Sequence, residues 1–300
     1  MENVNYFTRF SSPHAKRKTL AQKTKTLQCS VSYNADMNIF GYVKRLRFQK
    51  DIAKLKTSTK EISIKGDVKN VERLHNLRSL RKVYLVTTTQ DQFDRILPFL
   101  THITELTIYE VRCTDLSGLN SLTSLEKLEL EWNTKIEKLW DMSKLTSLRT
   151  LSVTDFTKLT DISEISEMTW LENLEISGGI NNKLSLKSVR PLSRLKHLKS
   201  LDLSNVEIND ESSILPLVNL KQLEKLNIPN RFPTEEIARL SVELPNTKCQ
   251  FFVPYVKANF GDGKDIMLVG KGKPRLSSKK DKGRIEKYIA EFEAFQNKYR

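Results

Sequence analysis

Few residues of this 300-residue chain are spaced for covalent or metal chemistry. Gly261-x-Gly263 and Gly270-x-Gly272 invite a phosphate-cradling loop, because glycine lets backbone N–H groups approach an anion. Neither pair stands in a GxGxxG or GxxxxGK[ST] pattern between a strand and a helix, so both read as turns. The histidines His14, His75, His102 and His197 have no Cys or carboxylate at ligand spacing, and no metal or other cofactor is expected. Cys29, Cys113 and Cys249 are far apart, odd in number and without a CxxC pair. That pattern excludes a zinc ribbon and a disulfide framework, and it fits a reduced, cytoplasmic protein. No GxSxG, HExxH or Cys-His-Asn set can be assembled, so the chain is not expected to be an enzyme. What remains is non-covalent chemistry. The carboxylates Glu129, Glu131, Glu175 and Asp202 recur at related positions, with Tyr84, Tyr109 and Trp132 nearby and Ser152, Thr154 and Asn227 between or beside them. Charge complementarity sets partner choice and rate of encounter, and aromatic residues are enriched where proteins meet.

Whether those side chains share a surface depends on a phrase that recurs from Leu122 to Ile228. It reads LTSLEKLEL, LTSLRTLSV, MTWLENLEI, LSRLKHLKSLDL and LVNLKQLEKLNI. Each copy ends in a short Leu-x-Leu strand, marked by Leu130, Val153, Ile176, Leu203 and Ile228. Weaker marks precede them at Phe48, Ile64, Leu85 and Ile108, and Phe251 follows. The intervals are 16, 21, 23, 22, 23, 23, 27, 25 and 23 residues. One such unit cannot bury its apolar side alone, but stacked units make one continuous core.

With Cys113-Thr-Asp-Leu-Ser-Gly-Leu and Leu159-Thr-Asp-Ile-Ser-Glu-Ile as return segments, residues 40–255 resemble the leucine-rich-repeat family, in its bacterial, internalin-like form. The resemblance implies an α/β solenoid. This is a leucine-rich-repeat horseshoe with a parallel concave sheet, short helices or 3₁₀ turns on the convex side, and a C-terminal capping helix. The position where the family sets a corner asparagine holds Asn133 in one coil but Val111, Phe156, Gly179 and Val206 in others, so packing is expected to hold those corners. The long 27-residue interval carries Gly178-Gly-Ile-Asn-Asn182, read as a protruding loop.

Three segments follow from this reading. Residues 1–36 form a basic leader, which reads as disordered. Residues 37–255 form the solenoid, with an N-terminal cap and about ten strands. Residues 256–300 form a hairpin and helix, with Ile285, Tyr288, Ile289, Phe292 and Phe295 on one helix face to close the open end. Strand alternation places two outward columns on the concave side. One runs Arg47, Ser63, Tyr84, Thr107, Glu129, Ser152, Glu175, Asp202, Asn227. The other runs Gln49, Lys65, Val86, Tyr109, Glu131, Thr154, Ser177, Ser204, Pro229.

Net charge is +14, unevenly spread. Residues 1–60 hold 13 Lys/Arg against 3 Asp/Glu, residues 61–256 hold 25 against 27, and residues 257–300 hold 12 against 6. The partner expected on the acidic face is a protein with a basic segment, bound by an adaptor or by an inhibitor of the immunity type. A nucleic acid held by the basic ends is the alternative, because phosphate is repelled by the face itself. The N-terminus has no apolar core of a secretory signal, and no apolar run is long enough to span a bilayer, so no membrane role is expected. A monomer is expected.

Overall fold

The computed structural model describes residues 47–211 and 213–300. The leader at 1–36 and the start of the expected cap lie outside these residues. The strands are β1 Gln49–Asp51, β2 Glu61–Lys69, β3 Lys82–Thr88, β4 Glu105–Val111, β5 Lys127–Asn133, β6 Thr150–Phe156, β7 Asn173–Ser177, β9 Ser200–Asp202 and β11 Lys225–Asn227. Among the described residues they form one nine-stranded sheet in chain order, and all the pairings are parallel. Two inner rows run through it in continuous register. One is Ile64, Leu85, Ile108, Leu130, Val153 and Ile176. The other runs from Ile62 through Val83, Leu106, Leu128, Leu151 and Leu174 to Leu201 and Leu226. All are buried. Leu203 and Ile228 continue the first row just past the ends of β9 and β11, and both are buried as well.

The return path follows from a second period. Leu116, Leu119, Leu122, Leu125 and Leu128 are three apart, as are Ile162, Ile165, Met168, Leu171 and Leu174. A 3₁₀ helix has three residues per turn, so such a run lies on one edge. The backbone follows it. Leu119, Leu122 and Leu125 each donate their N–H to the carbonyl three residues earlier, at 3.0, 2.9 and 3.0 Å. The turns Val71–Asn76, Ser117–Ser121, Ser163–Glu167, Arg190–Arg194 and Leu215–Asn219 repeat this device on the convex side. One wider coil carries a true helix, α1 Gln90–Ile96, which buries Phe93 and Ile96.

The corners use a third device. Thr87, Glu110, Trp132, Asp155 and Asn205 each stand two residues past their strand mark, and all have φ between 53° and 62°. A left-handed residue there reverses the alternation, so the next residue (Thr88, Val111, Asn133 or Phe156) points inward and is buried. Asn133 uses all its amide capacity. Its Nδ2 donates to the carbonyls of Val111 (2.7 Å) and Cys113 (2.9 Å), and its Oδ1 accepts from the N–H of Lys135 and Ile136, both at 2.8 Å. Val111 and Phe156 hold their corners by packing alone.

Two expectations need correction. Phe48 is not an inner mark. The strand begins at Gln49, which pairs with Ile64, and the ladder bulges before Asp51. The short first interval leaves no room for a full coil. Instead Asp51 caps a 3₁₀ turn by accepting from Ala53 N at 3.0 Å, Ile52 fills the core, and Phe48 lies under Lys65 on the concave side. Phe251 is buried but not in a strand, because the sheet ends in a single bridge between Lys225 and Lys248. The loop at 178–182 does project, with Ile180 90% exposed. It then leads into β8 Leu184–Leu186, which pairs in parallel with β10 Val206–Ile208 as a second small sheet. Asn205 Nδ2 ties the loop by donating to the carbonyls of Gly179 and Asn182 at 2.8 and 3.1 Å.

At the C-terminal end, α2 Thr234–Glu243 is followed by β12 Tyr255–Lys257, β13 Ile266–Leu268 and β14 Arg275–Leu276, an antiparallel three-stranded sheet. Helix α3 Lys282–Asn297 then lies against α2, with Phe292 fully buried and Gln296 Nε2 donating to Ser241 Oγ at 2.8 Å. Gly270 has φ +132°, and a side chain there would strike Thr234. Among the described residues no helix is long and apolar enough to cross a membrane.

The corner geometry yields a stability prediction. Asn133→Leu keeps the branched side-chain shape but leaves four backbone groups at the corner without this partner, which costs on the order of 3 kcal/mol in urea unfolding. A loss below about 1 kcal/mol would show that this amide does not support the corner.

Candidate functional site

The middle column exists as one line of residues. Cα pairing joins Ser63 to Tyr84, then Thr107, Glu129, Ser152, Glu175, Asp202 and Asn227 without a break. The next column joins Lys65, Val86, Tyr109, Glu131, Thr154 and Ser177. Neighbouring strands lie about 4.8 Å apart, so Glu129 and Glu175, two strands apart, are roughly 10 Å from each other.

Most of these carboxylates are held by short neighbours. Glu129 accepts from Thr107 Oγ1 at 2.7 Å and pairs with Lys127 at 2.8 Å. Lys127 comes from the outward position one step earlier on the strand, so basic groups do reach the acidic column from its side. Glu175 accepts from Ser152 Oγ and Ser177 Oγ, both at 3.0 Å, and from Thr154 Oγ1 at 3.4 Å. Asp202 accepts from Ser204 N at 2.7 Å and Oγ at 2.5 Å, and from Asn227 Nδ2 at 2.9 Å. Ser152, Thr154 and Asn227 therefore orient carboxylates as well as lining the face.

Glu131 differs. Among the described residues its carboxylate has no hydrogen bond or ion pair. Burial, reinforced by the like charges of Asp155, Glu175 and Glu129, pushes it up to about 7. The hydroxyl of Tyr109, its cross-strand neighbour, is pushed up to about 12 by burial and by Glu131, Glu110 and Asp155. The aromatic residues divide in two. Tyr84 and Tyr109 keep only 7% and 9% of their surface exposed, with Lys82 Nζ 5.0 Å from the centre of the Tyr84 ring. Trp132 is 41% exposed and leans on Tyr109, with ring centroids 6.3 Å apart and planes tilted by 41°.

Two acidic residues of this surface escape a reading by alternation. Glu110 and Asp155 fall where a regular strand would point inward, and the left-handed corner turns them outward. Glu110 is paired with Arg112 and accepts from Thr87. Asp155 abuts the long loop: Asn182 Nδ2 donates to it at 3.4 Å, and any side chain on Gly179 would press on its carboxylate. The available signal was the residue after each corner. Val111 and Phe156 are too apolar to face water, which betrays the change of phase.

Glu131 should make stability depend on pH. Its folded value lies above the ordinary 4.5, so the folded chain keeps a proton that the unfolded chain has already released. Stability therefore falls as pH rises from about 4.5 to about 7, and the cost persists above that. Glu131→Gln should raise stability at pH 8 by about 1 kcal/mol after discounting for solvent screening, with little change at pH 4.5. Urea unfolding at the two pH values checks this, and equal effects at both would contradict it.

No family model matches the chain, and no curated protein does either. Solved structures do resemble it. A leucine-rich-repeat protein of Leptospira interrogans has a TM-score of 0.51 at 21% identity, over 67% of this chain and 51% of that one. The match thus spans about half of the Leptospira protein. Two internalins of Listeria monocytogenes are also similar. Internalin C2 has 24% identity and a TM-score of 0.43, covering 59% of this chain and 71% of that one. The internalin InlF has 23% identity and a TM-score of 0.38, covering 62% and 66%. With the sheet register above, the Leptospira likeness establishes the fold: the chain is a leucine-rich-repeat solenoid.

Proposed function

We propose that the chain is a non-catalytic recognition protein of the bacterial cytoplasm that binds a basic segment of a protein partner across its concave face. One observation carries the reading. Glu129, Glu175 and Asp202 stand in a single registered column that contains no Lys or Arg from Ser63 onward. Opposite charge on a partner would set its orientation and its rate of encounter. The hydrogen bonds from Ser152, Ser177, Ser204 and Asn227 fix these carboxylates beforehand, so little side-chain freedom remains to be lost on binding. Adaptor and immunity-type inhibitor both use such a face, and the partner's identity separates them.

Nucleic acid would have to avoid this face and use the basic ends. In the C-terminal segment Lys264, Lys273, Arg284 and Lys298 are already paired with Asp262, Glu291, Asp281 and Glu235. That weakens the segment as a phosphate-binding patch.

Reversal of Glu129, Glu175 and Asp202 to Lys in one variant should lower recovery of the partner from native lysate at least tenfold, with the fold intact by circular dichroism. Unchanged recovery would refute the concave-face reading. Salt-sensitive RNA or DNA binding that disappears on removing residues 1–36 or 271–300 would favour the basic ends instead.

A further inference from the structure

Trp132 and Ile180 are the large apolar side chains that stand exposed among the described residues, and they belong to one rim of the sheet. Trp132, Asp155 and Gly178 occupy the same corner position in three successive coils, and Gly179 packs on Asp155 just before Ile180. Glu131 stands one residue before Trp132, in register with Tyr109 on one side and Thr154 on the other. Trp132 rests on Tyr109. The solenoid does not require tryptophan at this corner, since Thr87, Glu110, Asp155 and Asn205 fill it elsewhere with small or polar groups.

The arrangement is therefore an aromatic wall beside two carboxylates, one of which lacks a cation or a donor among the described residues. A metal ion would gain nothing from the indole and would need more oxygen ligands. A planar, weakly hydrated cation suits it better: it can stack on an aromatic face while donating two hydrogen bonds to one carboxylate.

We infer that Trp132, Glu131 and Asp155 form the anchoring subsite for one arginine side chain of the partner segment. This rests on the reading of the concave face as a site for a basic protein segment. The aliphatic stem of the arginine lies along the indole, and its guanidinium faces Glu131 and Asp155. Ile180 lies two coils further along the same rim, where an apolar side chain elsewhere in the partner segment would cover it. Arginine is favoured over lysine because the ammonium is compact, strongly hydrated and unable to stack. Among the described residues, the titratable and charged groups that face Glu131 are Glu129, Asp155, Glu175 and Tyr109, and none of these is a cation. The partner's guanidinium is thus the group that relieves their mutual repulsion.

The test uses the full chain, with nona-arginine and nona-lysine peptides as probes in calorimetric titration at low salt. Nona-arginine should bind more tightly than nona-lysine. Glu131→Gln and Trp132→Gly should each weaken nona-arginine about five- to tenfold, and Trp132→Gly should erase the preference over lysine. Glycine also suits the φ of +62° at this corner, so that variant should fold. Glu137→Gln removes the same charge from an exposed position outside the nine-stranded sheet and should change the affinity less than twofold. Wild-type affinity should rise from pH 6 to pH 8, and the rise should vanish in Glu131→Gln.

If Glu175→Lys with Asp202→Lys abolishes peptide binding while Glu131→Gln and Trp132→Gly do not alter it, the subsite is wrong and the concave-face reading stands. If the wild type binds neither peptide, or prefers a single-stranded oligonucleotide to both, the subsite and the reading fall together.

Discussion

Everything in this molecule depends on how each coil turns its corner. A coil must leave the sheet, return along the convex side and re-enter the sheet within about 22 residues, with no buried backbone group left unpaired. The solution is one residue held left-handed at the same place in successive coils. In five coils this residue is Thr87, Glu110, Trp132, Asp155 or Asn205, none of them glycine, whereas Gly66 and Gly178, two residues past Ile64 and Ile176, do not take a positive φ. Each non-glycine residue in that region costs about 1–2 kcal/mol, somewhat less for Asn and Asp. The compensation is visible on the next residue, which swings inward to complete the core as Val111 and Phe156 do, or to pair the neighbouring coil's backbone as Asn133 does.

The same reversal builds the candidate site. A strand of strict alternation would send Glu110, Trp132 and Asp155 into the core, where a carboxylate or an indole could not be accommodated. The corner instead lifts them to the rim of the concave face, beside the column of outward carboxylates. Fold and surface are thus two consequences of one backbone conformation. The rim can vary freely because the left-handed residue contributes little to the core, whereas the residue after it cannot.

How much of this could be read from the amino acids follows from the same logic. The inner rows and both concave columns were legible from Lys65 to Asp202, because apolar alternation and a period of 22 to 23 residues leave one register. The 3₁₀ return was written in the three-residue spacing of Leu116, Leu119, Leu122 and Leu125. The ends were not legible. Phe48 and Phe251 match the phrase by type, but a bulge with a local 3₁₀ cap displaced the first, and the second lies past the last strand of the ladder. The outward placing of Asp155 and Glu110 was hidden because backbone handedness has no one-letter signature when glycine is not used. The exposure of single side chains escaped as well: Tyr84 and Tyr109 lie in the expected column yet are buried, while Trp132, off the column, is the exposed ring.

Glu131 stands apart from the other carboxylates of the acidic face. A sheet face needs polar groups, but it does not need an unpaired carboxylate among three others. Glu129, Glu175 and Asp202 all have donors within hydrogen-bonding distance, supplied by residues one coil away or on the same strand. Placing Ser or Thr beside Glu131 would have been an equally small change, and Thr154 stands across from it but donates to Glu175 instead. The chain therefore tolerates a destabilising charge at this point while satisfying its equivalents. Among the described residues no cation or donor compensates this charge, and in the proposed subsite the partner's guanidinium takes that role. The aromatic wall of Trp132 and Tyr109 beside it is what favours, in that proposal, a cation able to lie against a ring.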